Sequence, residues 1–126
     1  MKKEVLKKNP PDRKHHTFDA SEFPIGRLAT RVSALLRGKN KVTYEFNRDM
    51  GDFVTITNAS KVKMSGKKVE SKVYYHFSGY QGGIKEERAS ELIVKRPELI
   101  IKRAIFHMIP KNRLKKHIMK RLTIKA

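Results

Sequence analysis

Apolar positions along this chain follow two rhythms. Over residues 26–37 they recur at helical spacing: at 100° per residue Leu28, Ala29, Val32, Leu35 and Leu36 share an arc of about 120°, while Arg27, Arg31 and Arg37 lie opposite. This predicts an amphipathic helix, with Gly38 placed to end it in the left-handed conformation. A second helix is predicted over residues 97–109, opened by Pro97, which suits a first helical turn. Its core stripe is Ile100, Ile101, Ala104, Ile105 and Met108, with Leu99 and Phe106 on the back, so it is expected between other elements. A helix over 87–95 precedes it. Pro110 breaks it, and Asn112 is placed to cap a last helix reaching about residue 121. That helix carries Leu114, Ile118 and Leu122 on one side and Arg113, Lys116, His117 and Lys120 on the other.

The other rhythm is that of strands. Residues 52–58 are apolar and β-branched between Gly51 and Asn58, as in a buried strand. Shorter strands are expected over 15–20, 62–64, 72–76 and 123–125, with a turn at 65–68 and a glycine-rich loop at 77–83. Strands interleaved with helices argue for an α/β sheet covered by helices. Residues 15–126 form one domain in this reading, behind a basic arm over 1–14 in which Pro10-Pro11 blocks regular structure.

Charge changes the picture more than composition does. Thirty Lys and Arg face 12 Asp and Glu, a formal net charge of +18, while 38% of residues are apolar. That apolar share suffices for one modest core, so the charge does not force disorder. The excess is lopsided: residues 1–48 carry +7, 49–94 carry +1 and 95–126 carry +10. A near-neutral centre between cationic ends suggests a folded body meeting a polyanion, since self-repulsion disfavours compactness without one. The absence of cysteine excludes a disulfide scaffold, a thiol nucleophile and a Cys-ligated zinc site. The longest stretch without a charged residue, 73–84, has 12 residues and three glycines, short of the roughly 20 a membrane helix needs. The first residues are basic without an apolar run, so no secretory signal is expected there.

Chemistry-bearing patterns are few. His15, His16, His76, His107 and His117 form no His-x-x-x-His or His-x-Glu spacing, so no catalytic residue, metal ligand or cofactor is expected. Ser65-Gly-Lys-Lys lacks the first glycine and the spacing of a phosphate-binding loop. Asp49 and Asp52, around Gly51, read as a turn into the strand. Two helices with one apolar and one basic face suit nucleic acid: one side anchors in the core and the other neutralises phosphates. The segment 73–84 sets Tyr74, Tyr75, Phe77 and Tyr80 beside Gly79, Gly82 and Gly83. Such rings can stack on unpaired bases where glycine permits close approach, or can pack in the core. Three rival classes fit parts of this pattern: a DNA-binding module using the basic C-terminal helices, a hydrolase built on His76 or Asp52, and a membrane-surface helix. The helix after Pro97 is too apolar for a DNA groove, and the terminal helix lacks bulky aromatics on its apolar side.

Several of these residues resemble a known family. Gly26-Arg-Leu-Ala-Thr through Leu36-Arg-Gly-Lys is similar to the first helix of the ribosomal protein uL13 (L13) family. So are Gly51-Asp-Phe-Val, Ser65-Gly-Lys-Lys, Lys72-Val-Tyr-Tyr-His, Ser78-Gly-Tyr, Gly82-Gly-Ile-Lys and the run from Arg96-Pro-Glu through Ala104 to Met108-Ile-Pro-Lys-Asn-Arg-Leu. The resemblance spans about residues 16–125, in its bacterial and organellar form. The family's usual tryptophan before the first strand is replaced at His15 or His16, its Tyr-x-Pro-His tract is Tyr44-Glu-Phe-Asn, and His107 stands where glycine is common.

The resemblance implies a three-layer α/β/α domain with a mixed, mainly parallel sheet. It implies a structural, non-enzymatic constituent of the large ribosomal subunit that joins early in assembly. It also implies large-subunit rRNA and neighbouring ribosomal proteins as partners, without membrane, small-molecule substrate or homo-oligomer, in the ribosomes of the cytoplasm or of an organelle. The residues expected on RNA are Arg37, Lys39 and Lys41; Lys67 and Lys68; His76, Ser78, Gly79, Tyr80, Gly82, Gly83 and Lys85 of the loop region; and Lys111, Arg113, Lys115, Lys116, Lys120 and Arg121 at the C-terminal end.

Overall fold

A computed structural model describes residues 12–126. Of the basic arm expected over 1–14, residues 1–11 lie outside the described residues. Lys14 is already tied to the body, its carbonyl accepting the Phe53 N–H at 2.9 Å.

Three strands form a parallel sheet in the order β1 (His15–Asp19), β2 (Phe53–Thr57) and β5 (Leu122–Ile124). The register aligns Val54 with His16 and Leu122, and Ile56 with Phe18 and Ile124, so these side chains share one face. Val54 and Ile56 are fully buried there. Against this face packs α1 (Ile25–Arg37), whose Leu28, Ala29, Val32 and Leu36 are buried as the periodicity requires, with Leu35 half-buried. Each such Leu or Val contributes about 1.5–3 kcal/mol of burial. The chain leaves α1 through Gly38 at φ +77°, where the Lys39 N–H reaches back to the Ala34 carbonyl. A Cβ at Gly38 would lie 2.7 Å from the Met50 carbonyl oxygen, and one at Gly51 only 1.7 Å from that of Leu36. Glycine at both positions lets the returning chain lie against the helix end.

The second large helix is α4 (Pro97–Met108), which packs on α1 and buries Ile100, Ile101 and Ile105. Met108, expected in the core stripe, is 40% exposed; it ends the helix, and its sulfur accepts the Thr30 hydroxyl at 3.5 Å. Between the two, α2 (Lys68–Ser71), the antiparallel pair β3 (Val73–Phe77) and β4 (Ile84–Arg88), and α3 (Ala89–Lys95) form a subassembly on the side of α4. Last comes the short helix α5 (Lys115–Met119).

The α/β class holds, but several details differ. The antiparallel pair is a separate hairpin, so the three-stranded sheet is wholly parallel rather than mixed. Its outer face carries His15, Thr17, Phe53 and Thr123, all exposed, and half-buried Thr55. Among the described residues, this face stays open to solvent apart from Thr55. The strand expected over 62–64 is one bridge between Pro24 and Lys63. Residues 87–88, expected to open a helix, finish β4 instead: cross-strand pairing with Val73 and Tyr74 overrides the helical propensity of Glu and Arg. The last helix is shorter than expected, although Asn112 does cap it, its Oδ1 accepting the Lys115 N–H at 3.1 Å.

Candidate nucleic-acid interface

At one end of the sheet, cations meet carboxylates. Asp52, fully buried just before β2, accepts Lys41 Nζ at 2.6 Å, His16 Nε2 at 3.1 Å and the Lys14 N–H at 3.1 Å. Burial pushes its pKa upward, but bonds from Lys41, Lys14 and His16 outweigh that and hold it below the ordinary 3.8. Beside it, Arg121 is 6% exposed. Its guanidinium grips the Asp49 carboxylate through both terminal nitrogens and donates to the carbonyls of Leu36 at 2.9 Å and Asp52 at 3.3 Å. Arg13 lies 3.8 Å from the same carboxylate. One clasp thus joins the ends of α1, β1 and β2 to the start of β5. Two of the residues expected on RNA are engaged inside the fold. Arg121, expected on RNA, is occupied within the fold because a guanidinium buried there must be paired. Lys41 is likewise held, by Asp52 and by the carbonyls of Met50 and Asp12.

The cations around the α4–α5 connection have no such partners among the described residues. Pro110 turns the chain between α4 and α5, and around this elbow Lys111, Arg113, Lys116 and Lys120 are exposed. None forms an ion pair among the described residues. Arg37, Tyr44, Arg48, Pro110 and Asn112 line one small cavity, so the end of α1 abuts the elbow. Lys39 there is exposed, and half-buried Arg37 donates to the Tyr44 hydroxyl at 3.3 Å. The structure therefore joins the Arg37/Lys39 and C-terminal patches, which are over 70 residues apart in sequence. Lys115 differs from its neighbours: it is only 8% exposed, with its ammonium 3.5 Å from the Phe106 ring centroid. Burial, with Lys111 nearby, lowers its pKa.

The hairpin lies apart from the elbow. Its loop, residues 78–83, is closed by hydrogen bonds from the Ser78 N–H to Gly83 and from the Gly83 N–H to Tyr80. Gly79 and Gly82 have positive φ, and Tyr80 is 79% exposed at the tip. His76 and Lys85 are cross-strand partners on one face; Tyr75, Phe77 and Ile84 are exposed on the other. Tyr74 instead turns inward, between Lys72 and Arg103 at 5.2 and 5.1 Å. Burial raises its pKa against the opposing influence of Arg103. With Lys68, Gly26 and His107, these residues line a cavity of about 490 Å³; Lys67 lies exposed at the start of α2.

Sequence reasoning did not single out Lys72, Arg103 and Phe106, which the structure places against Tyr74 and Lys115 beside the candidate residues. The first two had no signal, because a hairpin must fold back on α4 before they meet. Phe106 did have one: its place on the back of an otherwise core-facing helix. Among the described residues, no group of three His, Asp or Glu could hold a metal ion, and no helix is long and apolar enough to cross a membrane.

Fold and surface together define a small, strongly basic α/β protein with one group of exposed, unpaired cations at the α4–α5 elbow among the described residues. The family model for ribosomal protein L13 matches residues 13–125. Similar relatives include the large ribosomal subunit protein uL13 of Pelobacter propionicus, 46% identical over 126 residues, covering 100% of this chain and 89% of the relative. Those of Geobacter sp. strain M21 (44% over 124 residues; 98% and 87% covered) and Thermotoga petrophila (43% over 126 residues; 100% and 85% covered) are similarly close. The chain belongs to the ribosomal protein L13 family. As a member it is a structural protein, not an enzyme.

Proposed function

We propose that this protein is a structural constituent of the large ribosomal subunit, binding large-subunit rRNA through its basic surfaces and joining early in assembly, in the cytoplasm. The observation that carries the reading is the elbow, where Lys111, Arg113, Lys116 and Lys120 stand exposed with no carboxylate partner among the described residues. Such charges repel one another until an anion neutralises them, and each phosphate bound releases counterions. Relatives carrying the name of a large-subunit protein over nearly the full length support the same reading. The DNA-binding alternative loses support from α4, whose Ile100, Ile101 and Ile105 are packed inside and cannot enter a groove. Lys39, Lys67, Lys68, Lys85 and the loop over 76–83 provide secondary contacts in this account, and neighbouring subunit proteins complete the surroundings.

The test is incorporation of K116E/K120E protein into large subunits in cells. The reading expects the variant to be depleted from purified subunits and absent from early assembly particles that contain the wild type. Equal incorporation would overturn it.

A further inference from the structure

We propose that the α4–α5 elbow is a seat for a single nucleotide, whose phosphate is drawn to Lys115 and whose sugar or base lies against Phe106; the proposal rests on the rRNA reading above and assigns it one specific contact. The Lys115 side chain is mostly buried while its ammonium keeps access to solvent, and that ammonium has no carboxylate, carbonyl or hydroxyl partner among the described residues. A lysine usually lays its stem on apolar surface and keeps its charge in water. Here the charge itself rests on an aromatic face, 3.5 Å from the Phe106 centroid. The surrounding charges add no relief: Lys111, Arg113 and Lys116 line the same cleft, with Asn112, and no acid lines it. Its volume is about 680 Å³ and it opens broadly to solvent, so it holds more than a lone phosphate without enclosing a ligand. Phe106 is 45% exposed, which leaves ring surface for a sugar or base. A bound phosphate would supply the counter-charge that Lys115 lacks and be shared with Lys111 and Arg113, as charge-assisted hydrogen bonds favour.

The site therefore differs from a diffuse basic rim. A rim residue contributes charge alone, whereas this cleft sets one unpaired ammonium directly against one ring. The same chemistry could come from a free nucleotide or from a nucleotide within the RNA, so the experiment has two arms.

In the first, the isolated protein is titrated with adenosine monophosphate and, separately, with inorganic phosphate, following Phe106 ring and Lys115 amide resonances by NMR. Both probes should shift Lys115, and only the nucleotide should shift Phe106. In the second, filter binding of purified large-subunit rRNA is measured against salt for K115M, F106L and K116M. K115M should bind roughly tenfold more weakly, with a salt slope smaller by about 1. F106L should bind more weakly at unchanged slope, and K116M should reduce the slope without touching the ring contact. Methionine keeps the packing on Phe106, and the far-ultraviolet circular dichroism of each variant checks folding. A response in the second arm alone assigns the seat to RNA; a response in both shows that it accepts free nucleotide too. Wild-type affinity in both K115M and F106L, with no Phe106 shift, would overturn the proposal and reduce Lys115 to a cation–π contact. If K116E/K120E also bound normally, the rRNA reading itself would have failed.

Discussion

Arg121 and Lys115 lie six residues apart, both basic and both nearly buried, yet the molecule treats them oppositely. At the clasp, Arg121 meets the Asp49 carboxylate and two backbone carbonyls, so its charge is neutralised within the fold. At the elbow, Lys115 meets a ring and other cations, and its charge is not. Net charge cannot distinguish the two cases. What does is pairing: a cation with its own carboxylate serves the fold, and one without is available to a partner. The +18 total overstates the surface offered to a polyanion, because Arg121, Lys41 and Arg13 are engaged by Asp49 and Asp52.

The sharpest way to break this comparison is to remove a charge from each side. R121M leaves the Asp49 carboxylate only Arg13, 3.8 Å away, and frees the Leu36 and Asp52 carbonyls; losing one partner of a buried pair costs about 3–5 kcal/mol, and urea denaturation should show a loss toward the lower end of that range. K115M strands nothing, so the same measurement should give a stability equal to or above that of the wild type. Equal destabilisation by both would erase the distinction.

A weaker but more selective effect comes from pH. Asp52, its carboxyl held below the ordinary 3.8, stabilises the fold fully above its unfolded value. That contribution is lost as the pH falls through its lower folded value. The urea midpoints of wild type and D52N should therefore differ by a constant amount between about pH 7 and about pH 5, and converge below about pH 4. A gap that persisted at the acid end would show that the Asp52 charge is not what matters.

The smallest stability effects belong to the exposed elbow. R113E and K116E should change unfolding free energy by no more than about 0.5 kcal/mol, while lowering the salt dependence of rRNA binding. Substitution Y80A at the hairpin tip should likewise leave the thermal midpoint unchanged, since that side chain packs on nothing in the body.

Much of this fold is legible in the sequence because its main signals are local. The stripe of α1, the β-branched run of β2, Pro97 at the start of α4 and Gly38 at the end of α1 each declare an element through their own spacing. What stayed hidden depends on distant partners. Residues 87–88 read as the opening of a helix and 84–86 as no element, and only pairing with Val73–Phe77 makes 84–88 a strand. Arg121 read as one more basic residue beside Lys120, because nothing in the local sequence tells that Asp49, 72 positions earlier, folds onto it. The candidate interface was legible as a tendency, through the cationic C-terminal third, but the pairing around it was not: Arg121 and Lys41 meet Asp49 and Asp52, and folding brings Phe106 under Lys115.

The most direct test of the contrast is a cryo-electron microscopy map of the large subunit carrying this protein. The account predicts rRNA phosphates within contact of Lys111, Arg113, Lys115 and Lys116, and none at Arg121 or Lys41. An elbow facing solvent, with RNA lying instead against the clasp, would contradict it.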